Sequence, residues 1–147
     1  MADDMAIGVL DHLTDVDAAA IQQLLPQLSS SAVFDSARIE AIIQHPAADL
    51  LVARLSGDIV GMATLVKFPL PTGLRGHVDD VVVDEAHRGQ GIARKLLDTI
   101  TQLASAHQLR TLDLSSRPSR AAAIRLYESV GFERRDSLLM RFTPPQS

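Results

Sequence analysis

The stretch HRGQGIARKLL, His87 to Leu97, joins a run that reads as a buried strand to one that reads as an amphipathic helix; two glycines and three cations mark the junction. Upstream, Val81-Val82-Val83 within HVDDVVVDE lacks the alternation of a half-exposed strand and suits a central strand covered on both faces. Downstream, Ile92, Ala93, Leu96, Leu97, Ile100, Leu103 and Ala104 recur at helical spacing, one apolar stripe to lay on a sheet. Between them, Arg88-Gly89-Gln90-Gly91-Ile92-Ala93 leads into a helix whose first N–H groups have no helical partner. Those groups and the positive end of the helix dipole make an anion site, and glycine lets a phosphate come close to the backbone. A tight turn alone would use the same glycines. The pattern is not a dinucleotide fingerprint, because Arg94 stands at the third glycine position, and it is not a P-loop, which needs GxxxxGK[ST].

Outward from this junction the chain alternates irregularly. A short strand is expected over Ile7 to Leu13, then a helix in TDVDAAAIQQLLPQL, capped by Thr14 or Asp15 and kinked or ended by Pro26. A second helix, Ser36 to Gln44, is stopped by His45-Pro46. DLLVARL and IVGMATLVKF form a hairpin around Ser56-Gly57-Asp58. FPLPTGLRG, with two prolines and two glycines, reads as a functional loop before the valine strand. After the glycine-led helix come a strand in TLDLSS, a helix in PSRAAAIRLYESVGF ended by Gly131 as a left-handed cap, and a last strand from Ser137 to Phe142. The order β α α β β β α β α β specifies an α/β (α+β) three-layer fold in one domain, a mixed sheet with helices on both faces.

Composition limits the function classes. The 147 residues carry a net charge of −4, which argues against nucleic acid as the main partner, and no cysteine, which removes thiol nucleophiles and thiolate metal sites. MADDMAIGVL has aspartates where a secretory leader has cations, and no apolar run reaches membrane-spanning length, so a cytoplasmic protein without membrane contact is expected. His77, Asp79 and His87 have no specific metal spacing, so no metal is expected. The apolar LLMRF of the final strand would leave an edge that calls for cover, hence the expectation of a homodimer.

VVVDEAHRGQGIARKLL resembles the signature of the GNAT superfamily of acyl-CoA N-acyltransferases, [RQ]-x-x-G-x-[GA] directly after a central strand, with Arg88, Gly91 and Ala93 at its fixed positions. AAAIRLYESVGFE resembles the same family's A-x-x-L-Y-x-x-x-G-F helix and following strand, with Tyr127, Gly131 and Phe132 in register. GHVDDVVVDEAHRGQGIA is further similar to glucosamine-6-phosphate N-acetyltransferases, which read His-Ile-Glu-Asp there. The resemblance implies a mostly antiparallel central sheet, acetyl-CoA as co-substrate, and a small-molecule or peptide amine as acceptor. It implies that Val81, Val82, Val83, Arg88, Gly89, Gln90, Gly91, Ile92, Ala93 and Arg120 contact the cofactor, Val81 and Val83 through backbone groups beside the thioester. Arg120 stands where many relatives have an asparagine. Tyr127, the single tyrosine, matches the family's general acid; a phenol can protonate a departing thiolate in contact with it.

The base is left open between Asp79, His77 and a water chain. Regular pleating would place His77, Asp79 and Val81 on one face, with Asp80 on the other unless a bulge intervenes, and burial would raise the pKa of Asp79. Pairing of the two aspartates with Arg75 or Arg120 is the competing structural role. An N-acetyltransferase is therefore expected, with a non-catalytic acyl-CoA-binding module as the alternative.

Overall fold

A computed structural model describes residues 4–146, and the chain divides into two compact units, one up to Leu114 and one from Ser115. The first contains β1 (Met5–Val9), α1 (Asp15–Leu28), α2 (Ser36–Gln44), β2 (Ala48–Leu55), β3 (Asp58–Leu70), β4 (Gly73–Val83), α3 (Ile92–Ala106) and β5 (Leu112–Asp113). The sheet runs β1-β2-β3-β4-β5; its neighbours are antiparallel except β4 and β5, which are parallel.

Local signals set most boundaries. The Thr14 hydroxyl accepts from Asp17 N–H at 3.1 Å, and Asp15 and Asp17 lie at the positive end of α1. Pro26 falls inside the last turn rather than ending the helix, which runs two residues further to Leu28 and is closed by Ser29 N–H on Leu25 O. The expected span of α2 is the observed one, capped by Asp35, whose carboxylate accepts from Ala37 N–H at 3.0 Å. The β2–β3 turn is the two residues Ser56 and Gly57, both at positive φ (51° and 91°), as a tight hairpin with right-handed strand twist requires.

The expected functional loop at FPLPTGLRG is instead a hairpin end. The strands β3 and β4 pair as far as Leu70↔Gly73, leaving Pro71-Thr72 as the turn. Pro69 is tolerated for a positional reason. Lys67 N–H, two residues earlier, points away from β4 to Ala47 O at 2.7 Å, so the donor missing at Pro69 falls on the same side, beyond the start of β2 at Ala48.

Register assigns the two faces. Leu50, Val52, Met62 and Val82 pack with Ile21 and Leu24 of α1 and Ile39 of α2 into one core. On the opposite face lies α3, its buried stripe Ile92, Leu96, Leu97, Ile100 and Ala104 matching the expected spacing. Close approach there depends on Gly61, where a Cβ would stand 3.2 Å from Val82 O and 3.3 Å from Ile92 Cγ2. Burying eight large side chains completely, at about 1.5–3 kcal/mol each, is the main stabilising term.

The second unit contains α4 (Ala121–Ser129), with Ala123, Leu126, Tyr127 and Val130 half-buried on the expected face. The expected strand from Ser137 to Phe142 is absent among the described residues, and Leu138, Leu139, Met140 and Phe142 are exposed. A run of apolar residues makes a strand only when a neighbouring backbone supplies hydrogen bonds, and among the described residues no strand pairs with this segment. TLDLSS is likewise reduced to Leu112–Asp113. Among the described residues no helix is long and apolar enough to cross a membrane.

Candidate functional site

Three features of the first unit converge on the end of β4. The first is a bulge. Met62 pairs with Val82 and Thr64 with Asp79, so Ala63 alone opposes Asp80 and Val81. Asp80 takes the left-handed conformation, φ +55°, which aspartate tolerates better than most residues. Its N–H donates to Asp79 Oδ1 at 2.9 Å.

The extra residue changes which side chains share a face. Asp79 lies with Val82, not with Val81, because their partners Thr64 and Met62 alternate regularly on β3. His77 stays on the face of Asp79, with Nε2 3.9 Å from Asp79 Oδ2. Asp79 is not buried as expected, its side chain being 68% exposed. Asp80 is the perturbed carboxyl: although part of it meets water, desolvation pushes its pKa above the ordinary range and the neighbouring Asp79 charge adds to this. Arg75 donates to Thr72 Oγ1 at 3.0 Å, so the suggested ion pair with the two aspartates is not what occupies that bond.

The second feature is the parting of β4 from β5. Their parallel pairing covers Gly76↔Leu112 and His77↔Asp113 only, so no strand pairs with that edge of β4 from Val78 to Val83 among the described residues. The side chains of Val82 and Val83 are buried, which leaves their backbone groups as what they can offer a ligand; Val81, in the bulge, is half-buried.

The third is the turn into α3. A single 3₁₀ turn, Glu85–His87, follows β4, and Arg88 Nε donates back to Val83 O at 3.1 Å, which fixes the start of its guanidinium. Gly89 and Gly91 have φ of +82° and +77°, and a Cβ on either would meet nothing within 4 Å. Positive φ, rather than crowding by the protein, is therefore why both are glycine. Gly91 is the N-cap and brings no side chain to the first turn of α3. The Ile92 side chain is buried against the sheet, so this residue presents only its N–H at the turn, next to half-buried Ala93 and exposed Gln90.

On the face of His77 and Asp79, the sheet is partly open. Val66, paired with His77, is exposed, and a notch of about 270 Å³ beside it is lined by Arg38, Ala41, Ile42, His45 and Ala48.

In the second unit, Tyr127 is held by the end of its own helix. Phe132 N–H donates to Tyr127 O at 3.0 Å and Gly131 N–H to Glu128 O at 3.1 Å, with Gly131 at φ +108°. These are the two hydrogen bonds of a Schellman cap, and its usual apolar contact is the Tyr127–Phe132 ring pair. The spacing Tyr-x-x-x-Gly-Phe is thus a capping device that orients the tyrosine. Arg120 is the N-cap of α4, its carbonyl accepting from Ile124 N–H at 3.0 Å.

Comparison with known proteins bears on this arrangement. N-alpha-acetyltransferase RimI of Mycobacterium tuberculosis is 30% identical over 135 residues, covering 91% of this chain and 84% of that protein. A Mycobacterium leprae protein described as uncharacterized is 34% identical over 82 residues, and the chain spans only 22% of its length. Among solved structures, the ribosomal-protein-alanine N-acetyltransferase of Brucella melitensis biovar Abortus superposes with a TM-score of 0.73 at 31% identity, covering 94% of this chain and 99% of that one. The model of the Acetyltransferase (GNAT) family matches residues 18–132, from the first turn of α1 to the phenylalanine that caps α4, and the chain belongs to that family.

Proposed function

We propose that the protein transfers the acetyl group of acetyl-CoA to a primary amine of a small molecule or peptide. The observation that carries this reading is the succession, along one stretch of chain, of a strand with an unpaired edge, a bulge and a left-handed glycine turn opening a helix. The turn fits an anion: space is open around both glycines, and the N–H groups of Ile92 and Ala93 begin a helix without a side-chain cap. Two relatives named for N-acetylation of alpha-amino or alanine groups support an amine as acceptor.

Acetyl-CoA supplies the thioester and a pyrophosphate handle. In this reading the turn from Arg88 to Ala93 holds the pyrophosphate, with Gln90 at its rim, and backbone groups of Val81 to Val83 lie along the pantetheine arm. Arg120 adds a cation at the position where many members of the family carry an asparagine. The amine nitrogen forms the new C–N bond at the thioester carbonyl carbon, giving a tetrahedral oxyanion, and the C–S bond breaks as that oxyanion collapses. The proton lost from nitrogen goes to Asp79 or His77 or to water they hold, and the sulfur takes one from the Tyr127 hydroxyl. A backbone N–H at the unpaired edge of β4 stabilises the oxyanion between these steps.

Thiol release from acetyl-CoA, followed over a panel of aminosugar phosphates, polyamines, amino acids and peptides, tests the reading. Acceptor-dependent release with at least one amine class is expected. Tight CoA binding without release for any member would instead favour a non-catalytic acyl-CoA-binding module.

A further inference from the structure

The glycine turn does not rest on β4 alone. Gln27, in the last turn of α1, reaches across to the residues that leave the strand: its Nε2 donates to Asp84 Oδ1 at 2.9 Å, and its Oε1 accepts from Glu85 N–H at 2.8 Å. The orientation of the amide follows from its partners, since a carboxylate can only accept and a backbone N–H can only donate. The same Nε2 also lies 3.2 Å from Gln23 O, which anchors the side chain to its own helix. Asp84 is held on its other sides too. Its N–H donates to Val60 O at 2.8 Å, and its Oδ2 lies 3.0 Å from His87 Nδ1. Gln27 and His87 together keep the Asp84 carboxyl below its ordinary pKa, so it is ionised and a strong acceptor at neutral pH.

One side chain therefore ties a helix on one face of the sheet to the chain just before Arg88, and Arg88 in turn is tied back to Val83. In the turn that follows, Gly89 and Gly91 have positive φ and no side chain of their own to fix them, and the Gln90 side chain between them is exposed. Their direction is set by where Asp84 and Glu85 are held. We infer that Gln27 is a positioning residue for the phosphate-binding turn, setting affinity for the pyrophosphate-bearing end of the acyl carrier without touching it. The inference rests on the acyl-CoA reading above.

The test compares binding of CoA with binding of pantetheine, which lacks the pyrophosphate, by titration calorimetry on the full chain. Wild-type protein is expected to bind CoA much more tightly than pantetheine; equal binding would overturn the reading of the turn as an anion site, and this inference with it. Gln27→Met keeps the length and packing of the side chain and removes its hydrogen bonds to Asp84 and Glu85, along with the one to Gln23 O. It is expected to weaken CoA about tenfold, the scale of hydrogen bonds to a charged group, and to change pantetheine by less than about twofold. Unchanged CoA affinity, or equal loss for both ligands, would show that Gln27 merely fastens helix to sheet. Should Gln27→Met fold poorly, Gln27→Asn, one methylene too short to span both partners, carries the same comparison with the same two outcomes.

Discussion

Phe132 N–H donates to the carbonyl of Tyr127 at 3.0 Å while their rings meet edge to face, centroids 6.3 Å apart and planes at 69°. The backbone bond closes the helix and the ring contact fixes the direction of the phenol, so cap and orientation are one device. Tyr127→Phe retains the ring and both capping bonds and removes only the hydroxyl. Its melting temperature is expected to stay within about 2 °C of wild type, whereas acceptor-dependent thiol release falls about a hundredfold, the usual scale for loss of a general acid. Full turnover by this variant would remove Tyr127 from the chemistry.

Asp80 has a pH signature of its own. Its carboxyl is raised above the ordinary value by desolvation first and by Asp79 second, so the folded protein holds that proton to higher pH than the unfolded chain does. Stability from this group is present below the unfolded pKa near 3.9 and is lost as pH rises through the folded value. Asp80→Asn, which retains a residue tolerant of positive φ, is therefore expected to melt slightly higher than wild type at pH 7, on the order of 1 °C because the group is partly in water. The gain should vanish in melting curves taken below about pH 4; a variant less stable than wild type at pH 7 would contradict the assignment.

What could be read from the sequence was what local chemistry decides. The glycine turn, the apolar stripe of α3, the span of α2 and the left-handed Gly131 all follow from residues within a turn or two of one another. Features set by a distant partner were not legible. The bulge exists because Ala63 opposes two residues of β4, and it moved Asp79 to the face of Val82 and made Asp80 the perturbed acid. Pro69 sits in a strand because β2 begins too late to need its N–H. Ser137 to Phe142 had the apolar run of a strand but no ladder among the described residues, and Gln27 meets Asp84 from 57 residues away with no motif to announce it.

Asp17 and Arg54 test the framework beneath the site. Two parallel bonds of 2.9 and 2.8 Å join them, Asp17 is buried, and Arg54 also donates to Gly57 O at 3.1 Å, so the pair fastens α1 to the β2–β3 turn. Arg54 holds the Asp17 carboxyl below its ordinary pKa, chiefly through these hydrogen bonds. A lowered folded pKa gives stability that is present above the unfolded value and lost as pH falls through the folded one. Asp17→Asn should cost about 2 kcal/mol in urea denaturation at pH 7. The difference from wild type should hold down to about pH 5 and shrink below about pH 4. A difference independent of pH would mean that packing, not charge, is what the variant loses.

Gly91 separates backbone strain from ligand approach. An alanine there must adopt φ near +77°, at a cost of about 1–2 kcal/mol, yet its Cβ meets nothing within 4 Å of the protein. Gly91→Asn carries a residue that visits the left-handed region more readily, so it should recover much of the stability lost in Gly91→Ala. Affinity should follow a different order. If phosphate approaches the backbone at this turn, any side chain obstructs it, and CoA should bind both variants more weakly than wild type, while pantetheine, which does not reach the turn, should bind all three alike. Recovery of CoA affinity in Gly91→Asn in step with its melting temperature would mean that the glycine serves the turn alone.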